Sequence, residues 1–173
     1  MKPDTQKHDA APKQLLFVCT GNICRSPMAE YILRARLGGK SDWKVASAGV
    51  AAINGEPASE EAVAVCRELG LDLRQHGSQP VTRELAEHSR WIVVMTEAHR
   101  EILTRRHPEL NARIRLLKSF GFSKDFADIP DPIGGSVEVY RTVRNMIEAA
   151  VSDLILFLVE QDSRMQSGKE HKQ

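Results

Sequence analysis

Apolar residues occur along the chain in two patterns, short continuous runs and longer stretches with a helical period. The short runs are typical of strands buried on both faces of a parallel sheet. They predict strands at residues 15–18, 43–48, 91–95 and 114–117. The periodic stretches predict helices at about residues 27–37, 59–69, 82–88, 97–106 and 136–159. Because strands and helices alternate, the pattern predicts a parallel α/β sandwich.

The two ends of the chain are polar and lack this patterning. We expect residues 1–13 and 161–173 to be flexible tails around one domain at residues 14–160. No apolar run reaches transmembrane length, and the polar N-terminal segment does not have the pattern of a signal peptide. The sequence therefore predicts a cytoplasmic protein with no membrane partner, and we expect a monomer.

The charge and the cysteine content of the chain argue against two classes of protein, nucleic-acid-binding proteins and disulfide scaffolds. The formal net charge of +1 gives no indication of a nucleic-acid partner. Three cysteines, an odd number, argue against a disulfide scaffold and favour a reducing compartment. Cys66 shares the apolar face of the helix at 59–69, which predicts a core residue. No cysteine, histidine or carboxylate cluster has metal-ligand spacing, so we expect neither a metal nor a cofactor.

Residues 18–27 carry the candidate chemistry. A strand, a tight loop and a helix N-terminus follow one another here, with Pro27 in the first helical turn. That arrangement points backbone N–H groups at an anion. Cys19 enters the loop, and Gly21 would let its amides approach a ligand closely. Arg25 offers a planar fork for two phosphate oxygens. A thiol beside a cation and a helix N-terminus ionises readily, and thiolate is the nucleophilic form.

The string Val-Cys-Thr-Gly-Asn-Ile-Cys-Arg-Ser-Pro at residues 18–27 resembles the low-molecular-weight protein-tyrosine phosphatase family. The resemblance extends over about residues 15–159. It implies a three-layer α/β/α sandwich whose four-stranded parallel sheet has the phosphate loop after its first strand. It also implies a phosphoric monoester hydrolase that acts on phosphorylated protein through a phosphocysteine intermediate, with Cys19 and Arg25 as catalytic residues. The remaining loop residues would bind phosphate: Thr20, Gly21, Asn22, Ile23, Cys24 and Ser26.

The second catalytic group is expected in the segment Asp128-Ile129-Pro130-Asp131-Pro132. By itself an Asp-Pro pair is more typical of a turn. The resemblance favours Asp131 as the general acid, since the family carries its acid in an Asp-Pro pair before its last helix. Asp128 lacks a following proline and is the second candidate. Ser47 and His76 match a supporting network around the loop asparagine, whereas His99 and His107 receive no role.

The residues around the loop give divided indications of the substrate. Ile133 and Ile53 stand where tyrosine-specific relatives carry aromatic side chains. The string at residues 131–136, Asp-Pro-Ile-Gly-Gly-Ser, looks like the bacterial branch that includes protein-arginine phosphatases. Ile23, however, is typical of tyrosine-specific loops. A phosphotyrosine phosphatase is therefore the leading hypothesis, and a protein-arginine phosphatase is the alternative.

Two further functions are less well supported by the residues. An arsenate reductase shares this fold and loop, but it needs additional thiols to carry a disulfide outward, and the region after Val94 contains none. A phosphate-binding module without catalysis would have little reason to keep Cys19, Arg25 and Asp131 together.

Overall fold

The computed structural model of the protein describes residues 13–39, 41–121 and 128–170. Its sheet has four parallel strands in the order β2-β1-β3-β4. The strands are β1 (Gln14–Cys19), β2 (Lys44–Gly49), β3 (Trp91–Val94) and β4 (Ile114–Leu116). Strand β2 lies on one side of β1, whereas β3 and β4 lie on its other side. The loop after β1 therefore lies where the strand order reverses, the usual ligand position in such sheets.

Five α-helices connect and cover these strands in the described part of the chain. They are α1 (Arg25–Leu37), α2 (Glu60–Arg67), α3 (Arg83–Glu87), α4 (Glu97–Arg106) and α5 (Val137–Glu170). Ser59 and Thr82 cap α2 and α3 through their hydroxyl oxygens. None of the described helices combines the length and apolar character that crossing a membrane would require.

The sheet separates two apolar clusters. Leu15 and Phe17 of β1 contribute to a cluster with residues of α1, α2 and α5, while Leu16 and Val18 contribute to a cluster with residues of α3 and α4. Alternate side chains of a strand point to opposite faces, so β1 is fully covered on both. The three-layer α/β/α fold predicted from the sequence is confirmed.

The largest departures from the predicted elements follow α4 and extend α5. A short 3₁₀ helix at Pro108–Arg113 follows α4, in a segment for which no element was predicted. Helix α5 continues to Glu170, so the expectation of a flexible tail is wrong for residues 161–170. Asp162 explains part of this, because its carboxylate accepts from Trp43 Nε1 at 3.1 Å and pairs with Lys13 at 3.2 Å. Residues 1–12 and 171–173 of the two expected tails lie outside the described residues.

Candidate active site

The loop between β1 and α1 is held in one conformation by Asn22. Asn22 is the only non-glycine residue with a positive φ, 58°, in the described part of the chain. Its side-chain amide donates to Ser26 Oγ and Ser47 Oγ, both at 2.8 Å, and its Oδ1 accepts from the Gln79 N–H at 2.9 Å. Its carbonyl accepts from His76 Nε2 at 2.7 Å. These four hydrogen bonds maintain a backbone conformation that side chains rarely adopt.

Ser47 and His76 thus lie where the resemblance placed them, in contact with the loop asparagine. The expectation that Gly21 lets the loop amides approach a ligand stays a prediction. Gly21 has no positive φ, and a Cβ there would meet only Ile23 Cγ1, at 3.7 Å. Within the protein itself the backbone approaches most closely at Gly49, where a Cβ would lie 2.4 Å from the Thr20 carbonyl oxygen.

Cys19 receives two hydrogen bonds at its sulfur. The Asn22 N–H donates to Cys19 Sγ at 3.3 Å, and Ser26 Oγ lies 3.0 Å from it. Because Ser26 Oγ already accepts from the Asn22 amide, its own proton is free to reach the sulfur. The alternative acceptor, the Ala48 carbonyl, is farther away at 3.4 Å. These contacts tie the Cys19 sulfur to the loop residues Asn22 and Ser26.

Behind this loop lies a buried carboxylate that the sequence did not indicate. The Ser47 hydroxyl donates to Glu30, which also pairs with Arg34 on the next turn of α1. Only the spacing of Glu30 and Arg34 was visible in the sequence, and i,i+4 pairs are common on helix surfaces. The link from Glu30 to Ser47 joins the loop network to α1.

Arg25 is 4% exposed, and both of its terminal guanidinium nitrogens donate hydrogen bonds. Nη1 donates to the Ile129 carbonyl at 3.1 Å, and Nη2 donates to Asp131 Oδ2 at 2.8 Å and, more weakly, to Thr20 Oγ1 at 3.5 Å. Its buried Nε–H has no hydrogen-bond partner among the described residues. Buried donors are nearly always satisfied, so this group indicates an anion site beside Cys19.

Asp131 belongs to the same pocket, and Asp128 does not. A pocket of about 180 Å³ is lined by Cys19, Thr20, Gly21, Ile23, Cys24, Arg25, Asp131 and Ile133. Asp131 remains 42% exposed at its side chain, and its Oδ1 accepts from the Ile133 N–H at 3.2 Å. Asp128 instead accepts from the Glu97 N–H at 2.9 Å, at the start of α4. The geometry therefore supports Asp131 as the acid.

His99 adjoins the loop, although we expected no role for it. It is 4% exposed, and its Nε2 and Nδ1 lie 2.9 Å from Thr20 Oγ1 and Thr96 Oγ1, respectively. Burial and the nearby Arg25 charge lower the pKa of His99 to about 4, so it is neutral near pH 7. The contact joins residues 79 positions apart, and no local pattern could have predicted it.

The Cys24 side chain contacts the hydroxyl groups of two residues. Its sulfur lies 3.1 Å from the Tyr140 hydroxyl and 3.5 Å from Ser59 Oγ. Burial raises the pKa of the Cys24 thiol above its ordinary value. Burial likewise raises the pKa of Cys66 to about 12, and Cys66 lies in the core as the sequence predicted.

The open side of the pocket is apolar on one flank. Ile23 is half-buried and Ile133 is 58% exposed, and both line the pocket. Ile53 is 70% exposed and is not part of the lining. The pocket mouth therefore combines two branched aliphatic side chains with the polar groups of Thr20 and Asp131.

Comparison with known proteins gives consistent matches. Residues 14–166 match the family model for low molecular weight phosphotyrosine protein phosphatase. A protein-arginine-phosphatase of Geobacillus stearothermophilus is 39% identical over 143 residues, covering 83% of this chain and 94% of the relative. A probable low molecular weight protein-tyrosine-phosphatase, EpsP of Ralstonia nicotianae, is 37% identical over 139 residues, covering 80% and 91%.

Solved structures agree with these matches. The YwlE arginine phosphatase of Geobacillus stearothermophilus has a TM-score of 0.81 at 36% identity, with 88% of this chain and 97% of that chain covered. A YwlE cysteine-to-serine variant with a phosphorylated active-site serine has a TM-score of 0.79 at 32% identity, covering 84% and 95%. A low molecular weight protein tyrosine phosphatase of T. tengcongensis has a TM-score of 0.77 at 37% identity, covering 82% and 97%.

Proposed function

Because the chain belongs to the low-molecular-weight phosphotyrosine protein phosphatase family, we propose that it hydrolyses phosphotyrosine in proteins, with Cys19 as the nucleophile. One observation carries this proposal. Cys19, Arg25 and Asp131 line a single pocket, and the buried Nε–H of Arg25 has no hydrogen-bond partner among the described residues. A nucleophile, an anion-binding donor and an acid are the three groups that hydrolysis of a phosphate monoester requires.

In the first step the Cys19 thiolate attacks phosphorus. The new S–P bond forms as the bond between phosphorus and the phenolic oxygen breaks, with its electron pair passing to that oxygen. Protonated Asp131 gives its proton to the same oxygen, so neutral tyrosine leaves. Arg25 and the loop amides hold the phosphoryl oxygens, on which charge is concentrated during transfer.

In the second step Asp131, now a carboxylate, takes a proton from water. The water oxygen bonds to phosphorus as the P–S bond breaks, and inorganic phosphate and the Cys19 thiolate are released. The phosphorylated active-site serine in the YwlE variant supports a covalent intermediate of this kind. All three cysteines are unpaired in the structure, which supports the cytoplasm as the compartment where Cys19 remains active.

The apolar flank of the pocket favours phosphotyrosine. Ile23 and Ile133 offer dispersion contacts to a flat phenyl ring, and neither accepts a hydrogen bond from a guanidinium. Burying unpaired N–H groups of phosphoarginine against them would cost about 1–3 kcal/mol, roughly a 10- to 100-fold preference.

Phosphoarginine is the second candidate, favoured by the similarity to protein-arginine-phosphatases and by the acceptor oxygens of Asp131 at the mouth. The decisive measurement is kcat/KM on matched phosphotyrosine and phosphoarginine peptides. We expect the phosphotyrosine peptide to be the better substrate, and a preference for the phosphoarginine peptide would reverse the assignment.

Cys19→Ser is the control for the chemistry itself. We expect it to abolish turnover of both peptides while inorganic phosphate still binds, since Arg25 and the loop amides remain. Turnover that survives this substitution would exclude Cys19 as the nucleophile.

A further inference from the structure

Thr20 lies at the mouth of the pocket and is held from behind by a histidine. Its side chain lines the pocket and is exposed, while its Oγ1 is 2.9 Å from Nε2 of the buried His99. The other ring nitrogen, Nδ1, is 2.9 Å from Thr96 Oγ1. The series Thr96–His99–Thr20 therefore connects the start of α4 to the phosphate loop.

The direction of these hydrogen bonds follows from Thr96. Its Oγ1 accepts from the His99 backbone N–H at 3.3 Å as the cap of α4. Its hydroxyl proton then needs an acceptor, and among the described residues its remaining contact is His99 Nδ1. When Nδ1 accepts, the proton of the neutral imidazole is on Nε2, which donates to Thr20 Oγ1.

Thr20 Oγ1 consequently accepts from two sides. His99 Nε2 donates at 2.9 Å, and Arg25 Nη2 approaches at 3.5 Å. A hydroxyl oxygen has two lone pairs and one proton. With both lone pairs directed at donors, the Thr20 proton points away from them, toward the pocket that Cys19 and Arg25 also line.

Neutrality of His99 is a condition of this arrangement. Burial and the Arg25 charge lower the pKa of His99 to about 4, and its ring therefore keeps one acceptor nitrogen at the pH of catalysis. A protonated ring would donate at both nitrogens and leave the Thr96 hydroxyl proton unpaired.

We propose that His99 is a positioning residue that fixes the Thr20 hydroxyl as a hydrogen-bond donor to the phosphoryl group. This inference rests on the proposed phosphatase function and adds a substrate-contacting side chain to it. A donor to an anionic phosphoryl oxygen stabilises the bound and transferring group in the same way as the loop amides do.

A double-mutant cycle on kcat/KM for p-nitrophenyl phosphate tests the coupling. We expect Thr20→Val and His99→Leu each to lower kcat/KM about 10- to 100-fold, the effect of losing a hydrogen bond to a charged group. The double variant should lose little more than either single variant, since both remove the same oriented proton. If the loss in kcat/KM of the double variant equals the product of the two single losses, His99 acts only by supporting the fold, and the proposal would fail.

Conservative variants and matched controls separate the hydroxyl from general damage. Thr20→Ser keeps the hydroxyl, and His99→Gln keeps a side-chain N–H that can donate to it, so both should retain most activity. His88→Leu and Thr142→Val remove an exposed histidine and an exposed threonine whose side chains hydrogen-bond to carbonyls of their own segments. Both controls should match the wild type. Failure of the two conservative variants to rescue activity would contradict the assigned role.

Two measurements remain informative if no substrate is turned over. Long-range ¹H–¹⁵N spectra of the wild type should show His99 as the neutral Nε2–H tautomer at pH 7, with an Nε2 shift that changes in Thr20→Val. Titration with inorganic phosphate should show about 10-fold weaker binding to Thr20→Val than to Thr20→Ser. A neutral Nδ1–H tautomer, or equal phosphate binding by the two variants, would overturn the proposal independently of the reaction.

Discussion

Asp131 Oδ2 accepts a hydrogen bond from Arg25 Nη2 at 2.8 Å, so the proposed acid and the proposed phosphate-binding fork are paired with each other. A phosphoryl group bound by Arg25 competes for the same donor. The arrangement implies that phosphate binding frees the Asp131 carboxyl, which can then act on the leaving oxygen. The half-exposed position of Asp131 keeps this pair weak enough to be displaced.

Asp131→Asn tests both parts of this relationship. We expect kcat to fall by roughly 10²- to 10⁴-fold, more for phenyl phosphate than for p-nitrophenyl phosphate, whose leaving group needs less protonation. Inorganic phosphate should bind more tightly, because a neutral amide competes less well for Arg25. Steady-state kinetics with both esters and a phosphate titration provide the check.

Asp128→Asn is the matched control, since Asp128 contacts the start of α4 rather than the pocket. Asp128→Asn should leave the ratio of kcat for phenyl phosphate to kcat for p-nitrophenyl phosphate unchanged. If Asp131→Asn lowers kcat by the same factor for both esters, the role of Asp131 is structural.

Gly49 fixes the approach of β2 to the phosphate loop. A Cβ on Gly49 would lie 2.4 Å from the Thr20 carbonyl oxygen and 3.0 Å from the Asn22 backbone nitrogen, and backbone cannot move aside cheaply. We therefore expect Gly49→Ala to lower both Tm and kcat/KM. Overpacking of this kind typically costs about 1–3 kcal/mol.

Gly39→Ala is the comparison for that substitution, because Gly39 has open space around its Cβ position and no positive φ. Its Tm and kcat/KM should stay close to the wild-type values. A Gly49→Ala protein with unchanged kinetics would show that the loop does not depend on the contact with β2.

The fold could be predicted because its signals are local. Each buried run and each helical period lies within one segment, and parallel α/β packing follows from their alternation. The loop residues Cys19 to Ser26 could be identified for the same reason. The choice of Asp131 over Asp128 needed the resemblance, and the structure supplies the physical distinction, since Asp128 is engaged by the Glu97 N–H.

What could not be predicted are contacts between distant segments. No local pattern indicated that Glu30 would bind Ser47, or that Tyr140 would contact Cys24 from 116 residues away. His99 was similarly given no role, because it lies on a helix that was predicted to be at the surface. Such pairings depend on how the helices dock on the sheet, which periodicity does not specify.

Cys24 lies in the same pocket as Cys19 and is expected to protect it from oxidation. Peroxide oxidises the Cys19 thiolate to a sulfenic acid. The Cys24 sulfur then attacks the Cys19 sulfur and forms a disulfide with loss of water. Because burial raises the pKa of Cys24, trapping should accelerate as the pH rises above neutrality. We expect inactivation that dithiothreitol reverses, and mass spectrometry should detect the Cys19–Cys24 bridge.

In Cys24→Ser, dithiothreitol should recover less activity, since Cys19 can proceed to irreversible acids. Cys66→Ser should behave like the wild type in this assay, because Cys66 is buried in the core and does not line the pocket. Full recovery in Cys24→Ser, or no detectable bridge in the wild type, would contradict the protective role.

His99 should make stability depend on pH. The unfolded imidazole binds a proton near pH 6.5, whereas the folded one does so only near pH 4. The unfolded state therefore holds more protons between these values, and stability is fully present above about pH 6.5 and decreases as the pH falls to about 4. The loss attributable to His99 is about 3 kcal/mol.

Thermal unfolding of the wild type and His99→Gln from pH 7 to pH 4 measures this contribution. Glutamine does not titrate, so the Tm of the variant should decline less steeply across the interval. His88→Gln controls for the loss of a histidine that is exposed. Parallel curves for wild type and His99→Gln would show that His99 does not titrate abnormally.

Ile23→Thr addresses the substrate directly. Ile23 lies mid-loop with its side chain on the pocket lining, beside the space through which the substrate side chain must pass. Threonine replaces a branched apolar group with one that can accept a hydrogen bond from a guanidinium N–H. We expect the ratio of kcat/KM to move toward the phosphoarginine peptide by roughly 10-fold, the typical effect of satisfying one buried donor. Ile53→Thr, at an exposed residue outside the pocket, should leave the ratio unchanged. If Ile23→Thr also leaves it unchanged, Ile23 is not the selector, and the segment from Asp131 to Ser136 becomes the place to look for substrate choice.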